Sequence, residues 1–509
     1  MTGPAFGGTG RGTGAPSRAT GTRETVGAVL VVLAAGLALR LIIAQLIPGS
    51  GFGVDIGAFR AWMSDLAANG PYGFYDRPFF HDYTPGYLLG LWFVGVLGNV
   101  LHALPGIGSI PSVGFLTDLD LKALPILADL AIGWLVHSMV LELGGRRRAA
   151  LAAAAVAVLH PISWFDSVVW GQVDSVGVVF LLLGLREIWR DRPERAAVFA
   201  VIAAIIKPQL GILIPLVAIV TIRRALWPSG GAGEPARTGR PIRILTTALA
   251  GYLTAVVLCL PFGLSVVGVG GQAPFVSSGL LEQIAKAAGG YPYLTVNAYN
   301  LWALVPGDLG NSLASSSAWI CDFAGAADQC GAGVATLAGV PAVLVGTVLL
   351  LASMVLVLWV VARRPDRLTV LVGVAVLALA FFAVPTRVHE RYGYPFFAIG
   401  VILAAVSWRW RWAYVALTAA TFANMYVVLT TLYPDNPSVM DWLGIGGAIR
   451  SQTGVTIVAI AHTVAFAWAF VQLRRDGRRA LEDELAMAGA WDDEGDWVAP
   501  PAADAATPD

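Results

Sequence analysis

The sequence predicts an all-α polytopic membrane protein with about 12–14 transmembrane helices. Three observations lead there. Of 509 residues, 57% are hydrophobic and only 13% charged, against about 25% charged in a soluble domain. Mean hydropathy is +0.70. Apolar stretches close to the roughly 20 residues that cross a bilayer as a helix recur along the chain. The formal net charge is zero and names no partner; no nucleic acid is expected among them.

Residues 1–24 are rich in Gly, Thr and Ser, carry Arg11, Arg18 and Arg23, and read as a disordered tail. The first apolar run, Val26 to Leu46, is too long for a signal-peptide core and has no small-residue cleavage site behind it, so it reads as a retained helix. Further helices are expected near 121–142, 149–164, 173–188, 194–206, 209–222, 243–263, 338–362, 368–384, 392–407, 411–432 and 453–474. The 84–120 stretch is interrupted by Pro105, Gly106, Gly108 and Pro111. It reads as a hairpin of two short helices, or as a re-entrant segment. Residues 480–509 hold Glu482, Asp483, Glu484, Asp492, Asp493, Glu494 and Asp496 without a base. Residues 476–509 therefore read as an acidic disordered tail, leaving 25–475 as the membrane domain.

Arginine sets the expected orientation. Arg146–Arg148, the Arg186–Arg195 stretch, Arg223 to Arg243, Arg363–Arg367, Arg409 with Arg411, and Arg474–Arg475 fall at every second connection. Such clusters stay in the cytoplasm. Both tails are then cytoplasmic, and the 48–84, 165–172, 207–209, 264–337, 385–392 and 433–452 connections lie on the extracytoplasmic face. The Arg- and Ala-rich usage suggests a high-GC bacterium, hence a plasma membrane. Cys259 sits in an apolar run, whereas Cys321 and Cys330 share one polar connection with no His cluster nearby. A disulfide between them requires an oxidising compartment; paired and unpaired states are both open.

The unusual polar residues gather in those outer connections. Asp55 precedes an amphipathic stretch, Ile56 to Ala68, that reads as a helix on the membrane surface. By position it could simply cap that helix. The aromatic stretch from Tyr72 to Tyr83 fits an interfacial belt or a platform for a sugar ring. In Trp170-Gly171-Gln172-Val173-Asp174-Ser175, Asp174 and Ser175 enter the apolar region, where ionisable groups are costly. Lys207 lies between two apolar helices, either as a snorkelling anchor or as an anion site. The strongest signal is Pro385-Thr386-Arg387-Val388-His389-Glu390-Arg391-Tyr392. Two guanidiniums, an imidazole and a carboxylate there suit either an ion-pair knot or a phosphate, which Arg and His⁺ bind through charge-assisted bonds. Asn297-Ala298-Tyr299-Asn300-Leu301-Trp302 offers amides and aromatics for a polyol, or for caps and a belt.

Taken as an ordered set, Asp55, Trp170 to Ser175, Lys207-Pro208-Gln209, Asn297 to Trp302 and His389 to Tyr392 resemble the GT-C glycosyltransferases. The chain looks most like the endoplasmic-reticulum glucosyltransferases that extend dolichyl-linked oligosaccharide. The second mannosyltransferase of GPI-anchor synthesis and bacterial polyprenyl-phosphate-mannose-dependent enzymes are near neighbours. The likeness spans about 25 to 475. It implies a GT-C fold and inverting transfer of a hexose, mannose foremost, from a polyprenyl-phosphate donor to a glycolipid, glycan or protein hydroxyl. Asp55 matches the general base, and His389 and Arg391 match the donor-phosphate positions; Lys207 and Arg387 join them on charge and location. Tyr83, Trp170, Gln172, Asp174, Asn297, Asn300, Glu390 and Tyr392 are expected to line the substrate. Several members carry a second acid beside the loop carboxylate, whereas here Ile56 and Gly57 follow Asp55. No metal or other cofactor is therefore expected, since hard cations want several oxygen ligands. The alternative class is a transporter or flippase of lipid-linked sugars, which tends to hold ionisable groups at the bilayer midplane.

Overall fold

The computed structural model describes residues 18–104, 119–228, 239–267, 277–305, 320–330, 333–432 and 439–489. The protein is an all-α polytopic membrane protein, and each apolar range expected outside 84–120 contains a helix. In chain order these are α1 (Arg18–Leu46), α2 (Gly53–Asn69), α3 (Pro85–Ala103), α4 (Leu119–Glu142), α5 (Arg147–Leu159), α6 (Pro161–Trp164), α7 (Asp174–Trp189), α8 (Pro193–Ile206) and α9 (Leu213–Leu226). There follow α10 (Ile242–Cys259), α11 (Leu280–Gly289), α12 (Ala342–Arg363), α13 (Arg367–Ala383), α14 (Tyr394–Val406), α15 (Trp408–Val427), α16 (Gly446–Arg450), α17 (Gln452–Val471) and α18 (Arg475–Gly489).

Among the described residues, 8 helices are long and apolar enough to cross a membrane, and Pro85–Leu101, Arg367–Ala383 and Tyr394–Val406 are shorter apolar helices. Their surroundings follow from their sequences. α13 and α14 are apolar all round and are buried on nearly every side, as such helices are. α12 is equally apolar but exposes Leu344, Val348, Leu351, Val355 and Trp359, a surface that suits a lipid environment. Inside the bundle Arg40 of α1 is fully buried. It pairs with Asp129 of α4 at 2.8 Å and donates to Ser163 and to the carbonyls of Gly36 and Val158. Tyr394 adds a hydrogen bond to the other Asp129 oxygen. A buried charge pair survives only with such extra bonds.

Two expectations are corrected, and a third lies partly outside the described residues. Helix α1 begins at Arg18, inside the stretch read as a disordered tail, while residues 1–17 lie outside the described ones. The 476–509 stretch is not tail throughout, because α18 forms its first part. Leu481 of α18 is buried, Glu482 pairs with Arg364 at 2.6 Å, and Glu484 binds Arg409 and Ser407. Its acids are thus matched by bases of other connections, which composition alone does not reveal. Residues 490–509 lie outside the described ones. The expected 84–120 hairpin shows one arm, α3, which packs along α2 with Gly95 against Met63 and Ala67; the rest, 105–118, is not among the described residues.

The 264–337 connection folds onto the bundle. Its Cys321 and Cys330 form a disulfide, and the buried Cys259 is free.

Candidate functional site

The site lies where the 48–84, 165–174 and 385–392 connections meet the end of α8. Asp55 stands in the first turn of α2, which starts at Gly53, and the capping position is held by Phe52 with no side-chain cap. Asp55 is therefore not a cap. The buried face of α2, Ile56, Phe59, Trp62 and Leu66, fixes its roll, and the Phe52 N–H bonded to the Trp170 carbonyl at 3.2 Å fixes its start. That approach is close: a side chain at Gly171, whose φ is 80°, would strike Ile56. Left-handed backbone is the glycine conformation. It turns the chain between the π-helical turn Phe165–Trp170 and α7, so that Gln172 reaches Asp55 and Asp174 opens the next helix.

Lys207 ends α8 because a residue before proline is driven out of the helical region. Its side chain does not snorkel. It is 5% exposed, and Nζ lies 2.7 Å from Asp174 Oδ2. Arg391, 8% exposed, is the hub of the cluster. Its Nη1 contacts Glu390 at 2.7 Å, its Nε lies 3.7 Å from Asp174, and its Nη2 lies 3.7 Å from Asp55. The Trp170 ring lies under the guanidinium, 5.3 Å from centroid to Cζ, a cation–π arrangement. Gln172 joins the two ends. Its Nε2 donates to Asp55, and its Oε1 accepts from Lys207 and Tyr83, both at 3.4 Å.

The cluster is mixed rather than cationic. Lys207 and Arg391 face Asp55, Asp174 and Glu390. Burial raises the Glu390 carboxyl, with Arg391 opposing. Burial also works against the Arg391 charge, but Glu390, Asp55 and Asp174 outweigh it and hold the guanidinium firmly cationic. His389 behaves otherwise than expected. Burial, then Arg391 and Lys207, push its pKa well below the ordinary value, so it is a neutral imidazole and not His⁺. Its ring packs against Tyr291 and Tyr392, at 5.3 and 5.2 Å between centroids.

Two further candidates do other work. Arg387, with φ of 64°, turns away and clasps Asp322 through Nε and Nη2 at 2.7 and 3.0 Å, while Nη1 donates to the Ala288 carbonyl. It ties the 264–337 connection to the turn and is committed to a carboxylate, so it is not a free anion ligand. Asn300 spends its amide on backbone: Nδ2 donates to Phe382 O at 3.0 Å, and Oδ1 caps Trp302 N. Asn297 acts through its backbone. Its carbonyl accepts from Asn424, and Val296 N–H binds Val388 O at 2.9 Å, holding His389 in register. Tyr392 lies between Phe381 and His389.

Asp82 and Tyr291 were not singled out from sequence. Tyr291 donates to Asp82 at 3.4 Å, bridging the 48–84 and 264–337 connections. Burial, with Asp55 adding to it, pushes the Asp82 carboxyl up to about 6. A raised acid in the fold means that ionising it costs stability. The cost is absent below its ordinary value and complete above about 6. Asp82→Asn should therefore raise the thermal midpoint at about pH 8 and leave it unchanged near pH 4. Equal gains at both values would show a packing effect instead. The sequence signal was a carboxylate inside a dense aromatic run, which burial alone would single out.

Searches against protein-family models found no match to this chain, and no curated protein matches it in sequence.

Proposed function

We propose that the chain is an inverting glycosyltransferase of GT-C type. It would move a hexose, mannose foremost, from a polyprenyl-phosphate donor to a hydroxyl of a glycolipid, glycan or protein acceptor. The reaction takes place on the extracytoplasmic face of a plasma membrane. The observation that carries this reading is the meeting of Asp55 with Arg391, Asp174 and Lys207, residues from distant parts of the chain gathered at one end of an apolar bundle. One end of the cluster holds a carboxylate on a loop helix, and the other holds two buried cations.

In this reading the acceptor oxygen bonds to the anomeric carbon as the bond from that carbon to the phosphate oxygen breaks. The electron pair leaves on the phosphate, and the acceptor proton passes to Asp55. A positioned general base contributes about a hundred- to ten-thousandfold. Preorganised cations aimed at the developing charge are usually the larger contribution, and Arg391 and Lys207 supply them. The phosphate competes with Asp174 and Asp55 for these cations, and the neutral His389 offers it a hydrogen bond rather than a charge. The reading calls for no metal.

The test is transfer by the purified protein from a panel of polyprenyl-phosphate sugars to membrane lipid acceptors, with product anomers assigned by NMR. One accepted donor with inverted stereochemistry supports the proposal. Translocation of the intact lipid-linked sugar without any new glycosidic bond would replace it with a flippase.

A further inference from the structure

Gln172 stands between charges of opposite sign, and chemistry alone sets which way its amide faces. Its Oε1 receives Lys207 Nζ and the Tyr83 hydroxyl, and its Nε2 donates to Asp55 Oδ2. Turned over, it would aim an NH₂ group at an ammonium and a carbonyl at a carboxylate. The side chain is fully buried, and its backbone N–H is pinned to Asp166 O at 2.9 Å. In the free protein Asp55 therefore has two holders, this amide and, at 3.7 Å, Arg391.

Resting on the transferase reading, we propose that Gln172 is a positioning residue that keeps Asp55 aligned once the donor phosphate has drawn Arg391 and Lys207 to itself. A phosphate takes cations but has no comparable claim on a neutral amide already donating to a carboxylate. The doubled acceptance at Oε1 then has a purpose. When Lys207 leaves for the phosphate, the Tyr83 hydroxyl still holds the amide face, and Nε2 stays on Asp55. One Asp55 oxygen is fixed, and the other remains open to the acceptor hydroxyl.

The test uses the full-length protein in lipid nanodiscs, with sugar-free polyprenyl phosphate as the binding probe. Gln172→Ala is expected to lower kcat about ten- to a hundredfold and to leave the Kd for polyprenyl phosphate within about threefold. Arg391, Asp82, Glu390, Tyr83, Tyr87 and Tyr291 are the other titratable groups that interact with Asp55, and they are unchanged in the variant. Gln172→Glu, nearly isosteric, should work only at pH values where the introduced carboxyl shares a proton with Asp55, and should fail above them. On an Asp55→Asn background Gln172→Ala should cost nothing further. An unchanged kcat, a Kd that rises as much as kcat falls, or a Gln172→Glu profile superimposable on the parent's would overturn the role of Gln172. If Asp55→Asn itself transfers sugar normally, it is the transferase reading that falls.

Discussion

Asp55→Asn is expected to lose sugar transfer by about a hundred- to ten-thousandfold while still binding sugar-free polyprenyl phosphate. The substitution is nearly isosteric, and Asp55 caps no helix, so α2 has no reason to unravel. The new amide cannot take a proton from an acceptor hydroxyl. Arg391 also loses one of its two more distant carboxylate neighbours, so phosphate affinity should hold or improve. The measurements are kcat with a saturating donor and the Kd for polyprenyl phosphate. Retained kcat would remove Asp55 from the chemistry; loss of both together would point to misfolding.

Arg391→Ala has the second large effect and a different signature. Removing one partner of a buried ion pair typically costs about 3–5 kcal/mol, because the other charge is stranded. Here Glu390 is stranded first, being buried and held by Arg391 at 2.7 Å. The variant should be both unstable and unable to use the donor. Combining it with Glu390→Gln should restore much of the thermal midpoint without restoring transfer. Recovery of activity in the double variant would mean that Arg391 serves only to neutralise Glu390. Arg391→Lys should keep the fold better than Ala yet use the donor poorly, since an ammonium cannot reach Glu390, Asp174 and Asp55 from one planar fork.

What the sequence disclosed depended on the range of the interaction. Helices α4, α13 and α17 are read directly because hydropathy over about 20 residues is a local property. The amphipathic α2 was legible for the same reason, through its buried Ile56, Phe59, Trp62 and Leu66. Charge type was legible too, but not charge partnership. Arg387 and Arg391 look alike in the string, and only the fold gives one to Asp322 and the other to Glu390, Asp174 and Asp55. His389 was read as a cation because its imidazole is drawn between arginines; burial beside two real cations makes it neutral. Asn300 shows the opposite limit, since an amide spent on backbone looks the same in the sequence as one meant for a sugar. Helix α18 was missed because the bases that match its acids, Arg364 and Arg409, lie in other connections.

The buried pair of Arg40 and Asp129 bears on how the protein is made. In chain order α1 precedes α4, so its arginine is synthesised before its carboxylate partner. An unpaired arginine at the centre of a span opposes insertion by roughly 2.5–3.5 kcal/mol, and Arg40 lies towards the C-terminal end of the apolar segment Val26–Leu46. The arrival of α4 supplies the counter-charge with which the two helices can share the interior of the bundle.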